Sequence, residues 1–227
     1  MTDADSIWII IPACNEGPVV GEVVAAVRAS YRRVVVVDDC SRDETGAAAL
    51  SAGAIVLRHP VNLGQGAALE TGIRYALSRG ADRLVTFDAD GQHRAGDIAV
   101  LLNRQRETGA DVVLGSRFLG AAPGIPALRR LVLQLTVRLL RLTGGLPVSD
   151  VHNGLRLLTR RAAEQIRIRQ NRMAHASEII EQVHSLGLSM AEAPVTILYT
   201  DYSLAKGQRL GNVVNIISEL FLARLRK

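Results

Sequence analysis

The sequence contains few aromatic residues and two cysteines. Phe, Trp and Tyr make up 4% of the 227 residues, so aliphatic side chains must fill the core, and an apolar content of 48% is enough for a sizeable one. Cys14 and Cys40 form no CxxC pair, so the sequence does not predict a zinc site. We expect both to be buried thiols rather than a disulfide, since nothing in the sequence demands an oxidising compartment.

Long apolar runs and a basic N-terminus are also missing. No run reaches the roughly 18 apolar residues that a membrane-spanning helix needs, and the opening MTDADS lacks the basic start of a signal peptide. The net charge of +5 is compatible with an anionic membrane surface or a phosphorylated substrate. The arginines form no patch interleaved with aromatics, so no nucleic-acid partner is expected. We predict a cytoplasmic protein, peripheral to the cytoplasmic face of a membrane.

Strand-like and helix-like segments alternate along the first half of the chain. Continuous apolar or β-branched runs predict strands at residues 7–11, 34–37, 55–57, 83–87 and 111–115. Apolar residues at helical spacing predict helices at residues 17–30, 43–53, 66–79 and 95–108. This order is typical of an α/β fold with a mostly parallel sheet flanked by helices. In such a sheet, ligands bind beyond the carboxyl ends of the strands.

Polar clusters follow three of these strands, at Asn15-Glu16, Asp38-Asp39 and Asp88-Ala89-Asp90. Because the carboxyl ends of parallel strands share one edge of the sheet, we expect the clusters to converge on one cleft. Asp88 and Asp90 alternate in an extended segment, so both can face one ligand. Two such carboxylates repel each other unless a cation lies between them or one is protonated. Carboxylates together with substrate phosphates are typical ligands of Mg²⁺, and Gln92 can add a carbonyl oxygen.

Five segments resemble the family 2 glycosyltransferases, in particular their dolichol-phosphate mannose synthase subgroup. In chain order they are PACNE at 12–16, VDDCSRDET at 37–45, HPVNLGQGA at 59–67, FDADGQH at 87–93 and GSR at 115–117. The resemblance covers about residues 6–206, with the segments in order and at fitting spacing. It implies a GT-A fold and an inverting, Mg²⁺- or Mn²⁺-dependent transfer of a hexose. The donor would be a nucleotide sugar, GDP-mannose or UDP-glucose, and the acceptor a polyprenyl phosphate.

The resemblance also implies roles for individual residues. The nucleotide pocket would contain Pro12, Asn15 and Glu16, and Asp38 or Asp39 would hold the base or ribose. The metal would be bound by Asp88, Asp90 and Gln92, with Asp88 on the side of the sugar. Arg117 would bind the acceptor phosphate. Lys206 and Arg209, in a basic mobile loop, would close on the donor diphosphate. Asp150 could orient Arg156, or either could contact substrate.

Three positions depart from the family pattern. Cys14 replaces an aromatic residue, Gln65 stands where lysine is common, and Cys40 replaces a glycine, which tolerates positive φ more readily. These changes leave open a nucleotide-sugar-binding subunit without turnover. A further alternative is a saccharide or protein hydroxyl acceptor, with Glu178 as the general base. A phosphate monoester needs no such base, because its second pKa is about 6.

The predicted organisation is one GT-A catalytic domain and one helix. Residues 1–117 would form the nucleotide-sugar half of the domain, residues 118–207 the acceptor half, and residues 208–227 a C-terminal amphipathic helix. A second amphipathic helix is predicted over residues 125–143, with Arg130, Arg138 and Arg141 opposite its apolar stripe. Such helices suit core packing or an anionic lipid surface. We therefore expect a membrane surface or a small membrane protein as a partner.

Overall fold

Seven strands form one sheet in the computed structural model, which describes residues 6–123, 125, 148–171, 174–200 and 202–203. The strands are β1 (Ile7–Ala13), β2 (Arg33–Asp38), β3 (Ile55–Arg58), β4 (Arg83–Thr86), β5 (Val112–Ala121), β6 (Arg156–Thr159) and β7 (Met190–Thr196). The helices are α1 (Gly17–Arg28), α2 (Thr45–Ser51), α3 (Gln65–Ser78), α4 (Asp97–Thr108), α5 (Arg160–Gln165) and α6 (His175–Ser185).

The strand order across the sheet is β3-β2-β1-β4-β6-β5-β7. β1 pairs in parallel with β2 and with β4, β2 pairs in parallel with β3, and β5 pairs in parallel with β7. β6 is antiparallel to both of its neighbours, β4 and β5, so it is the one reversed strand. The carboxyl ends of the other six strands therefore share one edge, as the sequence predicts.

Two apolar layers cover the faces of the sheet. Ile7, Ile9 and Ile11 of β1 pack into one layer with α1 and α4, while Trp8 and Ile10 pack into the other with α3, α5 and α6. This division follows from the alternation of side chains along a strand. Aliphatic residues form most of both layers, in agreement with the low aromatic content.

The nine predicted strands and helices of the first half are all present, with ends shifted by a few residues. β1 extends through Pro12 to Ala13 instead of ending at residue 11. Ile10 accepts a hydrogen bond from the backbone N–H of Phe87, and pairing with β4 stops there. The backbone of Pro12, two residues further along, points towards the same neighbouring strand, β4, after the pairing has ended. The N–H that proline lacks would therefore have made no hydrogen bond in the sheet.

The later strands and helices differ from the sequence analysis in two ways. The structure adds four elements that the sequence analysis did not assign, β6, β7, α5 and α6. In β7, Glu192 and Pro194 interrupt the apolar pattern of a strand. The predicted helices at 125–143 and 208–227 fall, except for residue 125, outside the described residues. Within the described ranges, no helix is long and apolar enough to cross a membrane. The predicted boundary at residue 117 falls inside β5, and both predicted halves contribute strands to the one sheet.

Candidate active site

Asn15 and Glu16 follow β1 and are fixed by the loop between β2 and α2. Asn15 has a left-handed backbone with φ of 54°. Its N–H donates to Ser41 Oγ over 2.9 Å, and its Oδ1 accepts from the N–H of Arg42 over 2.8 Å. The N–H of Glu16 donates to Thr45 Oγ1 over 2.8 Å. The ends of β1 and β2 therefore form one hydrogen-bonded unit at the sheet edge.

Glu16 also binds the last described segment of the chain. The hydroxyl of Tyr202 donates to Glu16 Oε2 over 2.8 Å, across 186 positions of sequence. Burial, and then the hydrogen bond and charge of Glu16, raise the pKa of Tyr202 above its ordinary value. This contact brings residues 202–203 next to the acidic strand ends. Lys206 and Arg209, predicted to act from the same loop, lie outside the described residues.

Asp38, the last residue of β2, is 1% exposed. Its Oδ1 accepts from the N–H of Ser41 over 2.8 Å, and its Oδ2 lies 3.6 Å from Nε of Arg58 on β3. These contacts hold the backbone that turns towards α2. A role for Asp38 at the base or ribose stays a prediction.

Asp39 organises the loop that leads from β3 into α3. Its Oδ1 lies 2.8 Å from His59 Nδ1 and accepts from the N–H of Leu63, also over 2.8 Å. Its Oδ2 accepts from the N–H of Gly64 over 2.7 Å. Both carboxylate oxygens are thus engaged within the protein. A substrate contact by Asp39, like one by Asp38, stays a prediction.

Cys14 and Cys40 are free thiols, and both are partly exposed rather than buried. Asn62 Nδ2 lies 3.2 Å from the sulfur of Cys14, and the sulfur of Cys40 lies 3.5 Å from the carbonyl oxygen of Pro60. Cys40 adopts a left-handed backbone with φ of 59°. The glycine of the family pattern therefore suits this position, and cysteine is strained there.

The Cys40→Gly variant is expected to be more stable by about 1 kcal/mol. A left-handed backbone costs a residue with a Cβ roughly 1–2 kcal/mol, and the greater freedom of glycine in the unfolded chain offsets part of the gain. Thermal unfolding should show a rise in Tm of about 2–4 °C. Cys14→Gly is the matched control, because Cys14 has no positive φ, and it should lower the Tm. A lower Tm for Cys40→Gly would contradict the strain argument.

Asp88 follows β4 and is held by side chains from two directions. Its Oδ1 accepts from Gln65 Nε2 at the start of α3 over 3.1 Å, and its Oδ2 lies 3.0 Å from His93 Nε2. Burial raises the pKa of Asp88, but the hydrogen bond and charge of His93 and the charge of Arg156 outweigh this and lower it below its ordinary value. Asp88 is therefore kept ionised and in a fixed orientation.

Asp90 lies in the opposite electrostatic environment. Burial, and then the charge of Asp88, raise the pKa of Asp90 to about 6. The N–H of Gln92 donates a hydrogen bond to Asp90 Oδ1 over 3.1 Å, which lowers the pKa but does not cancel the rise. The two carboxylates thus follow one strand, and the charge of one disfavours ionisation of the other. Within the described part of the chain, no three His, Cys, Asp or Glu side chains are grouped to hold a metal ion. The set Asp88, Asp90 and Gln92 contains two acids and a carboxamide, so it fits a cation that takes its other ligands from a substrate.

The turn at residues 150–156 lies against Asp88. The carbonyl oxygen of Gly154 accepts from Thr86 Oγ1 over 2.6 Å. A Cβ at Gly154 would overlap the Asp88 carboxylate and come within 2.5 Å of its Cγ. Glycine at this position therefore allows the backbone to approach the acid.

Arg117, on β5, is bound to Asp150 at the beginning of the same turn. Its Nε donates to Asp150 Oδ2 over 2.6 Å and its backbone N–H donates to the same oxygen over 3.1 Å. Nη1 donates to the hydroxyl of Tyr199 over 2.8 Å. Burial lowers the pKa of Arg117, but Asp150 and Tyr199 outweigh burial and raise it. Arg117 is thus a cation held in a fixed orientation by Asp150 and Tyr199.

Arg156 is buried, 3% exposed, and is held by carbonyl groups rather than by an acid. Nε donates to the carbonyl oxygen of Asn153 and Nη2 to that of Val151, each over 3.0 Å. Burial lowers its pKa to about 10, although Asp88 and Asp150 oppose the shift. Asp150 therefore orients Arg117 and not Arg156, and Arg156 supplies positive charge behind Asp88.

Glu178, the suggested base, lies in the first turn of α6. Its two oxygens accept from the N–H of Arg169, over 3.1 and 3.0 Å, and Oε2 also accepts from the N–H of Gln170 over 2.9 Å. These bonds attach the segment before α6 to that helix. The carboxylate thus has a structural use that a general base would have to give up.

The structure brings together most of the predicted residues and adds some that the sequence analysis did not assign. His93, which was assigned no role from the sequence, binds Asp88. Gln65, noted as a departure from the family, binds the same carboxylate. Tyr199 and Gly154 were missed because a lone tyrosine or glycine in a loop has no local pattern. Residues 150–156 read DVHNGLR, which resembles a D-x-x-x-G-x-R segment of the dolichol-phosphate mannose synthase subgroup, and that likeness is the signal that could have found Gly154.

The same architecture occurs in a solved glycosyltransferase. Glucosyl-3-phosphoglycerate synthase from Mycobacterium tuberculosis, in complex with Mn²⁺, UDP-glucose and phosphoglyceric acid, superposes with a TM-score of 0.75. The similarity covers 97% of this chain and 79% of that one, at 20% sequence identity. The seven-stranded, mostly parallel sheet flanked by helices is thus a GT-A fold.

The chain is a member of glycosyl transferase family 2, whose sequence profile matches residues 8–167. An uncharacterized protein of Methanocaldococcus jannaschii is 33% identical over 97% of this chain and 93% of its own length. The UDP-N-acetylglucosamine–dolichyl-phosphate N-acetylglucosaminyltransferase of Methanococcus voltae is 29% identical over 97% of each chain. These relatives match nearly end to end.

Proposed function

We propose that this chain is a metal-dependent, inverting glycosyltransferase that moves a hexose from a nucleotide sugar, GDP-mannose or UDP-glucose, to a polyprenyl phosphate. The observation that carries the proposal is the turn at 150–156, which contacts both Asp88 and the buried cation Arg117. Gly154 lies against Asp88, and Asp150 binds Arg117. The donor would lie on the Asp88 side and the acceptor phosphate on the Arg117 side. The lipid phosphate in the name of the Methanococcus voltae relative supports this acceptor class.

A divalent cation fits the donor side. Asp88, Asp90 and Gln92 would hold it, and the pKa of Asp90, raised to about 6 by burial and by Asp88, reflects a repulsion that a cation relieves. Mg²⁺ and Mn²⁺ accept such oxygen ligands together with substrate phosphates. When bound, the ion would offset the negative charge on the departing nucleoside diphosphate.

A phosphate acceptor also agrees with the side chains on the other side of the turn. Its dianion attacks the anomeric carbon without a general base, since its second pKa is about 6. Arg117, with its charge fixed by Asp150 and Tyr199, would orient that dianion. A hydroxyl acceptor would require a base, and the oxygens of Glu178 are bound to two backbone N–H groups. The geometry thus favours the phosphate acceptor over the hydroxyl alternative.

A lipid acceptor would require the site to work at a membrane surface. We include in the proposal that the chain docks there, directly or through a small membrane protein, on the cytoplasmic side. The net charge of +5 supports contact with anionic lipid. The arginine-bearing segments to which the sequence analysis gave this role lie outside the described residues.

The test is product analysis with anionic liposomes that contain polyprenyl phosphate. Each of GDP-mannose, UDP-glucose and UDP-N-acetylglucosamine is supplied with a labelled sugar and with Mg²⁺ or Mn²⁺. We expect one donor to give a labelled lipid, with inverted configuration at the anomeric carbon, and chelation to stop the reaction. Absence of labelled lipid with every donor would refute the proposed function. The liposomes are then floated on a density gradient, and protein left behind would contradict direct docking.

A further inference from the structure

The turn at 150–156 contains buried nitrogen atoms that the fold does not use. Both ring nitrogens of His152 and Nδ2 of Asn153 are buried and have no hydrogen-bond partner in the described part of the chain. Asn153 is 2% exposed. A buried polar atom left unsatisfied costs about 1–3 kcal/mol. These atoms on adjacent residues therefore indicate a ligand that accepts hydrogen bonds from Nδ2 of Asn153 and from one ring nitrogen of His152.

Asn153 is already oriented by its other atoms. Its Oδ1 accepts from the N–H of Leu155 over 2.9 Å, and its backbone carbonyl accepts from Arg156. The amide Nδ2, which is always a donor, is thus fixed in direction and has no partner among the described residues. The fold needs only the oxygen, so the amide nitrogen is left for recognition.

The charges around the turn favour an anion. Asp150, the acid of this turn, is bound to Arg117 over 2.6 Å, so its charge is already matched. Arg156 bonds to carbonyl groups through Nε and Nη2, and the charge of the Asp88 carboxylate offsets its positive charge in part. Burial, and then the charges of Arg156 and Arg117, lower the pKa of His152 to about 4, although the charge of Asp150 opposes the shift. His152 is therefore uncharged at neutral pH. A neutral imidazole offers one N–H donor beside two guanidinium groups.

We propose that His152 and Asn153 donate hydrogen bonds to the phosphate monoester of the acceptor and, with Arg117, form its binding subsite. The proposal rests on the proposed function and extends it to two residues to which neither the motifs nor the relatives assign a role. A phosphate dianion presents acceptor oxygens, which match the imidazole N–H, the amide NH₂ and the positive guanidinium group of Arg117. The turn contacts Asp88 through Gly154, so this subsite adjoins the donor side. The chemistry requires a phosphate monoester, whether on a lipid or on a small soluble molecule.

The test measures phosphate binding directly, by calorimetric titration of the whole chain without donor. The probes are farnesyl phosphate, inorganic phosphate and phosphoglyceric acid. His152→Leu removes the imidazole donor. Asn153→Asp keeps the oxygen that binds Leu155 and replaces the free amide by a carboxylate. We expect each variant to raise the Kd for farnesyl phosphate at least about tenfold, as loss of one hydrogen bond to a charged group predicts.

Controls separate this role from a structural one. His184→Leu removes an exposed imidazole on α6 and should leave the Kd unchanged, while His152→Gln, which keeps a donor, should restore part of the affinity. A Kd equal to that of the wild type in both His152→Leu and Asn153→Asp would overturn the subsite, as would a wild type that binds none of the three phosphates. Tighter binding of farnesyl phosphate than of phosphoglyceric acid supports the lipid source, and the reverse order overturns it.

The proposed function can fail separately. If the wild type binds phosphate through these residues but transfers no sugar to polyprenyl phosphate, the subsite stands and the lipid acceptor is wrong. If transfer occurs and the variants bind phosphate normally, the function stands and the subsite is wrong. In kinetics, the variants should raise the KM for the acceptor and leave the KM for the donor unchanged.

Discussion

Replacing Asp90 by alanine is expected to lower kcat for sugar transfer about a thousandfold. In the proposed mechanism, Asp90 helps to hold the cation that offsets charge on the departing diphosphate, and loss of one electrostatic contact to a transition state costs about 10²–10³ in rate. Release of the nucleoside diphosphate at saturating donor and acceptor measures the effect. Activity near that of the wild type, with or without chelator, would remove Asp90 from the reaction.

Loss of activity in this variant should not come from unfolding. The pKa of Asp90 is raised by burial and by Asp88 to about 6, so its ionised form is disfavoured in the folded protein. The folded protein binds the proton of Asp90 more tightly than the unfolded chain does, because the pKa is about 6 in the fold and 3.8 in the unfolded chain. The contribution of Asp90 to the free energy of unfolding is therefore most favourable below pH 3.8 and is lost as the pH rises through about 6. At pH 7.5 without metal, the alanine variant should therefore have a Tm at least as high as the wild type. Asp82→Ala, at an exposed acid, is the control and should retain full activity.

Adding one methyl group at Gly154 is expected to reduce transfer about a hundredfold. A Cβ there overlaps the Asp88 carboxylate, so either the acid or the turn must move. Displacing Asp88 breaks its contacts with His93 and Gln65, and displacing the turn shifts the residues proposed to bind the acceptor. Misplacement of about 1 Å is enough for a loss of this size. Steady-state kinetics of Gly154→Ala, with donor and acceptor varied in turn, measure it.

Gly96→Ala is the matched control for this substitution. Gly96 precedes α4 with φ of −63°, and a Cβ there meets no atom within 4 Å. Its activity and Tm should equal those of the wild type. A Gly154→Ala variant as active as Gly96→Ala would show that the approach of the turn to Asp88 has no functional importance.

Much of the donor side was predictable because its residues follow strands directly. Asn15, Asp38 and Asp88 come one or more positions after apolar runs, and parallel strands bring their carboxyl ends to one edge. The left-handed backbone at Cys40 was also predictable, since glycine is common at that position in the family pattern. The local sequence pattern is sufficient to find such residues, because their place in the site follows from their position at the end of a strand.

The acceptor side was harder to predict because its contacts are distant in sequence. Arg117 and Asp150 are 33 positions apart, and Arg117 and Tyr199 are 82 apart. The sequence left open whether Asp150 orients Arg156 or whether either residue contacts substrate, and in the fold Asp150 binds Arg117. Periodicity and spacing carry no information about which of two buried arginines meets one carboxylate.

The sequence by itself determined the α/β order of the first half, the edge of the sheet where polar residues gather, and the pairing of Asp88 with Asp90 in one segment. Strand and helix periodicity and the shared direction of parallel strands are sufficient for these features. The tertiary structure decided the reversed strand β6, the partners of each buried charge and the contact of Gly154 with Asp88. Those features depend on packing between segments far apart in the chain. Because a buried charge or donor without a partner raises the free energy of the fold, the packing that is adopted is one that supplies a partner.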